Sequence, residues 1–477
     1  MSTPGRPPAG DAGRNDPAHG GPHNPAHAGP DALTPVDPVE GGGPVEEPVP
    51  LPPQPRRGWA IDTTPLRNPG YRSLFWGVAA TMLGQQMTLV AVPYQVYALT
   101  GSSFMVGVTS VVALVPLIVF GLLGGAIADS MDRRRLMLVT AIGSAATSAA
   151  LAGQALLPGG GNLVLLWVLT ALVSGLTAVN QPTRSAVIPA LVGPAGVPAA
   201  NALAMTVRQV GVIAGPLLAG VLIAVGNLFV TYAVDALGFL VAALLLRGLP
   251  ALPPGRDAGP LRLGAAIRGV GEGFAFLRTQ PVLLMTFVVD VIAMLFAWPQ
   301  AVFPELSQGR YADSPNSLGW LFAGISIGAL VMGLTSGWVS RVDRQGAVVL
   351  AAIVVWGIAI VGFGFAPTLW LAVLCLAVAG AGDMVSAVLR SSMLQLAAPE
   401  QMRGRMQGVF IVVVTGGPRL GDLRAGAVAS AAGVTTAMVS GGVIIVVAMV
   451  VVALVVPSFW TFRASRSTQP THRAGEN

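Results

Sequence analysis

Lysine is missing from this 477-residue chain, cysteine occurs once and histidine four times. Without lysine, the net charge of +6 is carried by arginine. The lone Cys375 excludes an intramolecular disulfide and a cysteine-based zinc cluster. All four histidines (His19, His23, His27 and His472) lie near the chain ends, so no histidine proton relay runs through the apolar segments between them. Charge of either sign is scarce. Charged residues make up 10% of the chain, against about 25% in soluble domains. No phosphate loop, nucleotide-binding pattern, metal-ligand cluster or nucleophile triad occurs, so neither a cofactor, a metal, an enzymatic step nor ATP hydrolysis is expected of this chain.

What is abundant is apolar length. Hydrophobic residues reach 53% and mean hydropathy is +0.70, so lipid is the expected solvent. Runs near the roughly 20 residues that cross a bilayer read as helices at 73–96, 105–127, 135–156, 162–182, 201–224, 228–247, 281–303, 318–339, 346–366, 368–389, 405–430 and 434–457. The expected organisation is a disordered tail over 1–66, rich in Pro, Gly, Ala and Asp and without a cleavable signal, then six spans over 67–247. A linker over 248–280, six further spans over 281–457 and a tail over 458–477 follow. From Leu261 to Arg278 the linker sets apolar residues at helical spacing with arginines between, as in a helix lying on a membrane surface.

Arginine is distributed with a bias. The loops after spans 2, 4, 6, 8 and 10 carry it (Arg133, Arg134, Arg135, Arg184, Arg341, Arg344 and Arg390 among them), whereas the alternate loops carry one, Arg310. Positive charge stays inside, so both termini are expected in the cytoplasm and the chain in the cytoplasmic membrane. The same pattern explains the basic charge without nucleic acid. The halves also echo each other: Arg184 follows span 4 as Arg390 follows span 10, Gly215-Pro216 matches Gly417-Pro418, and residues 337–344 are a weaker copy of residues 124–135. Two repeats about a central linker fit a transporter whose site lies between halves that rock.

At those residues the chain resembles the major facilitator superfamily. Gly125, Asp129 and the basic pair Arg133-Arg134 match the family pattern after span 2, with Ser130 and Asp132 in place of the usual basic residue and glycine. Span 5 carries Gly211, Gly215, Pro216 and Gly220, similar to the motif of exporters in this superfamily. The resemblance extends to the enterobactin exporter family of siderophore efflux proteins at Ala91-Val-Pro-Tyr-Gln-Val-Tyr and on to Gly107, at Ile188-Pro-Ala-Leu-Val, at Leu249-Pro-Ala-Leu-Pro-Pro and over 333–337. It implies an all-α membrane fold of twelve transmembrane helices in two pseudo-symmetric six-helix bundles. It also implies an exporter of a small organic molecule of the enterobactin type, which is further expected to be proton-coupled and monomeric. The residues leave two alternatives open: a broad-specificity drug or natural-product exporter and, in another class, a non-transporting membrane sensor or scaffold.

Ionisable groups at bilayer depth are costly and need a reason. Asp290, deep in span 7 and without a sequence-local arginine, is the first candidate for carrying a proton, and Asp235 in span 6 the second. Arg419, Asp422 and Arg424 in span 11, with Asp383 in span 10, are candidates for binding substrate. Arg419 and Asp422 are spaced to pair along one helix face, and Arg424 to remain for ligand. Asp129 is the candidate gate residue, aimed at the start of span 11 near Gly404-Arg405. Gln85, Gln86, Gln95, Asn180 and Gln181 are candidate cavity walls.

Overall fold

The computed structural model describes residues 62–250, 263–397 and 403–462. Most of the two expected tails and the first part of the linker lie outside the described residues, as do the side chains of Asp129 and Arg405.

In the first bundle the helices are α1 (Pro69–Thr100), α2 (Ser103–Ser130), α3 (Arg133–Ala155), α4 (Leu163–Ala224) and α5 (Leu228–Leu246). Short polar side chains start four of them. Asn68 accepts from the backbone N–H of Gly70 at 2.8 Å, Asp132 from Arg135 at 2.9 Å, Asn162 from Leu165 at 3.1 Å and Asn227 from Val230 at 3.0 Å. Each satisfies a donor that the first helical turn leaves open. Gly101, at φ 61°, closes α1 in the left-handed conformation that glycine adopts without strain.

The 62 residues of α4 would extend about 93 Å as one rod, roughly three hydrocarbon thicknesses. The rod is broken at Gly193, whose φ of 70° and ψ of 166° leave the helical region directly before Pro194. Proline disfavours a helical conformation in its predecessor, and a glycine there leaves the helix without strain. The segment 183–200, expected as a loop, is therefore helical on both sides of one glycine, and α4 supplies two passes.

After α6 (Leu263–Arg278), the second bundle comprises α7 (Pro281–Ala297), the short α8 (Phe303–Gln308), α9 (Ser317–Leu334), α10 (Gln345–Phe365), α11 (Leu369–Ala397), α12 (Arg403–Ala432) and α13 (Val434–Val455). The expected continuous span at 281–303 is interrupted. Trp298 is extended at ψ 121° because Pro299 follows it, and a single 3-10 turn links α7 to α8. Likewise α9 stops at Leu334, short of the expected 339, and continues as a 3-10 turn to Arg341.

Among the described residues ten helices are long and apolar enough to cross a membrane. Two passes of α4 and the 30-residue α12, whose Arg419, Asp422 and Arg424 lower its hydropathy, make the architecture consistent with twelve crossings in two bundles. Large apolar side chains face outward, with Leu334 and Leu454 79% and 74% exposed, as lipid contact requires.

Candidate functional site: a cavity between the bundles and its two ends

The end of the molecule that carries Arg133, Arg134 and Arg135 is tied together within the first bundle. Arg133 donates to the carbonyl of Ala186 at 3.4 Å, and Arg134 to the carbonyl of Arg247 at the end of α5. Both departures from the family pattern have local structural jobs. Asp132 caps α3, and the Ser130 hydroxyl donates to the Ile127 carbonyl at 2.9 Å in the last turn of α2.

The opposite, arginine-poor end joins the two bundles. Five hydrogen bonds between described residues cross from one bundle to the other, and all lie toward this end. Ser103 donates to Glu305, and Ser110 donates to Asp422 Oδ2 at 2.7 Å. Ser430 Oγ accepts from the Phe104 N–H at 3.0 Å and pairs with Ser102 at 3.5 Å. Asn316, at the start of α9, donates to the Leu217 carbonyl at 3.1 Å. Asp422 also accepts from the Ala301 N–H at 3.0 Å, so its carboxylate holds α2 and the broken end of α7 at once. Glycines let the backbones meet here. A Cβ on Gly107 would sit 2.6 Å from the Asp422 carbonyl. One on Gly220 would sit 2.6 Å from the Gly319 nitrogen, and one on Gly426 would run into Ser103. Of the exporter-type motif, Gly211 and Gly215 pack on α1 at Met82 and Gln86, whereas Gly220 packs on α9 in the other bundle.

Between these ends lies a cavity of about 740 Å³ reaching from Tyr71, Arg184 and Asn201 at the arginine-rich side to Trp298 and Phe322 of the second bundle. Gln85, Gln86 and Thr177 also border a second cavity of about 210 Å³, closed at its far wall by Asp235, Ser110 and Arg419. Gln85, Gln86, Asn180 and Gln181 thus line the walls as expected, whereas Gln95 is buried and bonded to Tyr232 and Gly160.

The structure separates the ionisable candidates by their surroundings. Asp235 is fully buried. Its Oδ2 accepts from Thr88 at 2.8 Å and Ser148 at 2.9 Å, and its buried Oδ1 has no hydrogen-bond partner. Asp290 is paired with Arg390 of α11 at 2.7 Å, and Arg390 also donates to Ser386 at 3.0 Å. Asp383 borders the same small void beside them, away from the main cavity. Arg424, expected to remain for ligand, is fully engaged. It donates to the carbonyls of Phe296 at 2.9 Å and Ala437 at 2.7 Å and to Ser440 at 2.7 Å, with its guanidinium 5.9 Å from the Phe296 ring centre. Arg419 makes no direct contact with Asp422, whose oxygens are taken by Ser110 and Ala301; the two charges still act on each other, and Arg419 borders the cavity.

The partners of Ser103, Ser110 and Asn316 were not read from the sequence. Ser103, Gly107 and Ser110 do form a small polar stripe at i, i+4 and i+7, and Asp422, Gly426 and Ser430 form another at i, i+4 and i+8. The stripes are visible in the chain, but their pairing is not.

Residues 60–473 match a family model described as transmembrane secretion effector. The enterobactin exporter EntS of Citrobacter koseri is 29% identical over 367 residues, covering 77% of this chain and 87% of that protein. Its namesake in Escherichia coli O81 is 28% identical over the same shares. Among solved structures, a bacterial homologue of the lysosomal transporter Spinster, in an inward-facing and unoccupied conformation, superposes with a TM-score of 0.65 at 15% identity, over 85% of this chain and all of that one. The nucleoside transporter NupG, as its D323A mutant, gives 0.66 at 13% identity, over 82% and 99%. These structures share the fold, and the proteins named are transporters, not enzymes. The chain is a multi-pass membrane protein that belongs to the transmembrane secretion effector family of the major facilitator superfamily.

Proposed function

We propose that this protein is a proton-coupled exporter that moves a small organic molecule of the siderophore type out of the cytoplasm by alternating access. The observation that carries this reading is the asymmetry of the cavity. It reaches the arginine-rich side, which positive charge assigns to the cytoplasm together with both termini. Hydrogen bonds and glycine contacts between the bundles seal it at the other side. That is the loading state of an exporter. The Gly211–Gly220 motif and the similarity to enterobactin exporters support outward transport and a siderophore-like cargo. The moving bodies are the spans at 67–247 and 281–457, joined by the linker at 248–280, and the unit is a monomer.

Asp235 suits the proton better than Asp290. A carboxylate buried with an unpartnered oxygen is unfavourable as an anion, and protonation relieves that cost at the cavity wall. Asp290 is instead engaged by Arg390 in an ion pair at 2.7 Å. The Asp129 loop acts as the gate that closes the arginine-rich side in the opposite state. The reading is tested by deleting the gene and measuring secreted and retained siderophore under iron starvation. Export is expected to fall and intracellular siderophore to rise. Unchanged export removes the siderophore assignment.

A further inference from the structure

The charged side chains that border the two cavities, which share Gln85, Gln86 and Thr177 as walls, are Arg184, Arg208, Arg419 and Asp235. Of these, Asp235 is engaged by Thr88 and Ser148. Among the described residues the three arginines make no hydrogen bond, and Arg419 has only the charge of Asp422 beside it, in contrast to Arg424, Arg390 and Arg310, which are tied to carbonyls, hydroxyls or a carboxylate. They are also staggered in depth. At 1.5 Å per helical residue, Arg184 lies about 31 Å along α4 from Leu163 at the arginine-poor end, which places it at the inner boundary. Arg208 lies about 24 Å below Ala224, and Arg419 about 20 Å below Ala432. The chain thus keeps three guanidinium groups that donate no hydrogen bond to the described protein, at successive levels, and of these only Arg419 has a described protein carboxylate, Asp422, within electrostatic reach.

Holding cations in a partly desolvated cavity is unfavourable unless a ligand completes them. A neutral ligand does not. Phenolic hydroxyls ionise near pH 10, so a metal-free catechol chelator enters this cavity uncharged and leaves Arg184 and Arg208 unmatched and Arg419 with Asp422 alone. Carboxylates are ionised at pH 7 and accept guanidinium groups two-point. We infer that the transported molecule is a small polyanion bearing two or more carboxylate groups, gripped in turn by Arg208 with Arg184 at the mouth and by Arg419 at the depth of the cavity. This rests on reading the cavity as the transport path and narrows the chemistry of its cargo.

The test uses the whole protein purified in neutral detergent and three probes: a dicitryl diamine with four free carboxylates, its tetramethyl ester, and a neutral synthetic tris-catechol. Binding is measured by ligand-dependent thermal stabilisation. The free acid is expected to bind, and the ester at least tenfold more weakly. Arg184→Gln, Arg208→Gln and Arg419→Gln are each expected to weaken the acid by about ten- to a hundredfold, the range for hydrogen bonds to charged groups, with the neutral catechol unaffected. Arg419→Lys keeps the charge and is expected to recover part of the affinity. Equal binding of acid and ester, indifference of the acid to the Gln variants, or binding of no probe overturns the inference. So does displacement of the acid by added phosphatidylglycerol through the same arginines, which makes the path a lipid site. Vesicle transport distinguishes the two readings. Proton-driven movement of the neutral catechol by Gln variants retains export and removes the polyanion. Charge-selective binding without movement of any probe retains the polyanion and removes export.

Discussion

Gly107→Ala tests the arginine-poor gate most directly. Residue 107 faces α12, where the added Cβ would stand 2.6 Å from the Asp422 carbonyl oxygen and 2.7 Å from the Leu423 Cα. These are backbone atoms of a packed helix, so no side-chain rotation relieves the contact. Overpacking of this kind costs about 1–3 kcal/mol. The cost falls on the state in which α2 and α12 touch and vanishes when they separate. A differential of that size shifts the balance between gate-closed and gate-open forms by about 5- to 150-fold. The readout is the reaction of Val106→Cys, in a Cys375→Ser background, with a membrane-impermeant maleimide applied from the arginine-poor side. Val106 is 2% exposed in the closed gate. Labelling is expected to accelerate within that range while transport slows, because the loading state is depopulated. Gly121→Ala, on the same helix but with nothing within 4 Å of its added carbon, serves as the control. It carries the same gain in helix propensity and is expected to change neither measurement. Parental labelling in Gly107→Ala, or equal acceleration in both variants, refutes the reasoning.

Asp235→Asn is expected to keep the fold, since Thr88 and Ser148 can still donate to the amide oxygen, and to abolish proton-driven efflux in proteoliposomes. Efflux at the parental rate removes Asp235 as the proton carrier. Asp290→Ala leaves Arg390 without its carboxylate and is expected to destabilise the detergent-purified protein by about 3–5 kcal/mol, with the Asp290→Ala/Arg390→Ala pair recovering part of the loss in thermal unfolding. Arg424→Ala removes three hydrogen bonds inside the second bundle and is expected to lower stability by at least about 1.5–3 kcal/mol while leaving cargo affinity unchanged in a binding titration. Asp129→Asn is expected to slow the transport cycle without lowering cargo affinity, and a normal turnover rate removes its gate role.

The helices were legible because crossing a bilayer imposes a length and an apolar composition that few other structures share. Their interruptions were legible in principle. Gly193-Pro194 and Trp298-Pro299 break helices by the restriction proline places on its neighbour, yet an apolar run scored for length alone passes over them. The electrostatics were less legible, because pairing inside a bundle ignores sequence distance. Asp290 has no arginine nearby in the chain, and its partner is Arg390, one hundred positions away. Arg419 and Asp422 have the spacing of a helical pair, but Ser110, from more than 300 positions earlier, takes the carboxylate. Arg424 looks free on a helical wheel and is the most fully engaged arginine of its helix among the described residues. Local spacing reports which face a side chain shares, and only the packing reports what it meets there.

The distribution of polar contacts follows what an alternating cycle requires of each joint. Joints that must survive the cycle lie within a bundle and are multiply tied. Arg310 joins the α10–α11 connection at Gly364 and Ala366 to Thr435 at the start of α13. Gln95 joins α1 to Tyr232 of α5 and to Gly160 before α4. The polar joints that must break lie between the bundles and consist of serine hydroxyls, two of them on the carboxylates of Glu305 and Asp422, one asparagine amide and bare backbone at glycine. A single such hydrogen bond contributes about 0.5–1.5 kcal/mol net, and about 1.5–3 kcal/mol where a carboxylate accepts, because water replaces the lost partner on opening. An interface of interlocked large apolar side chains would expose its whole surface to the same water. The α2–α12 seam therefore seals while closed and releases at modest cost, and each bundle retains its own geometry as the cavity changes sides.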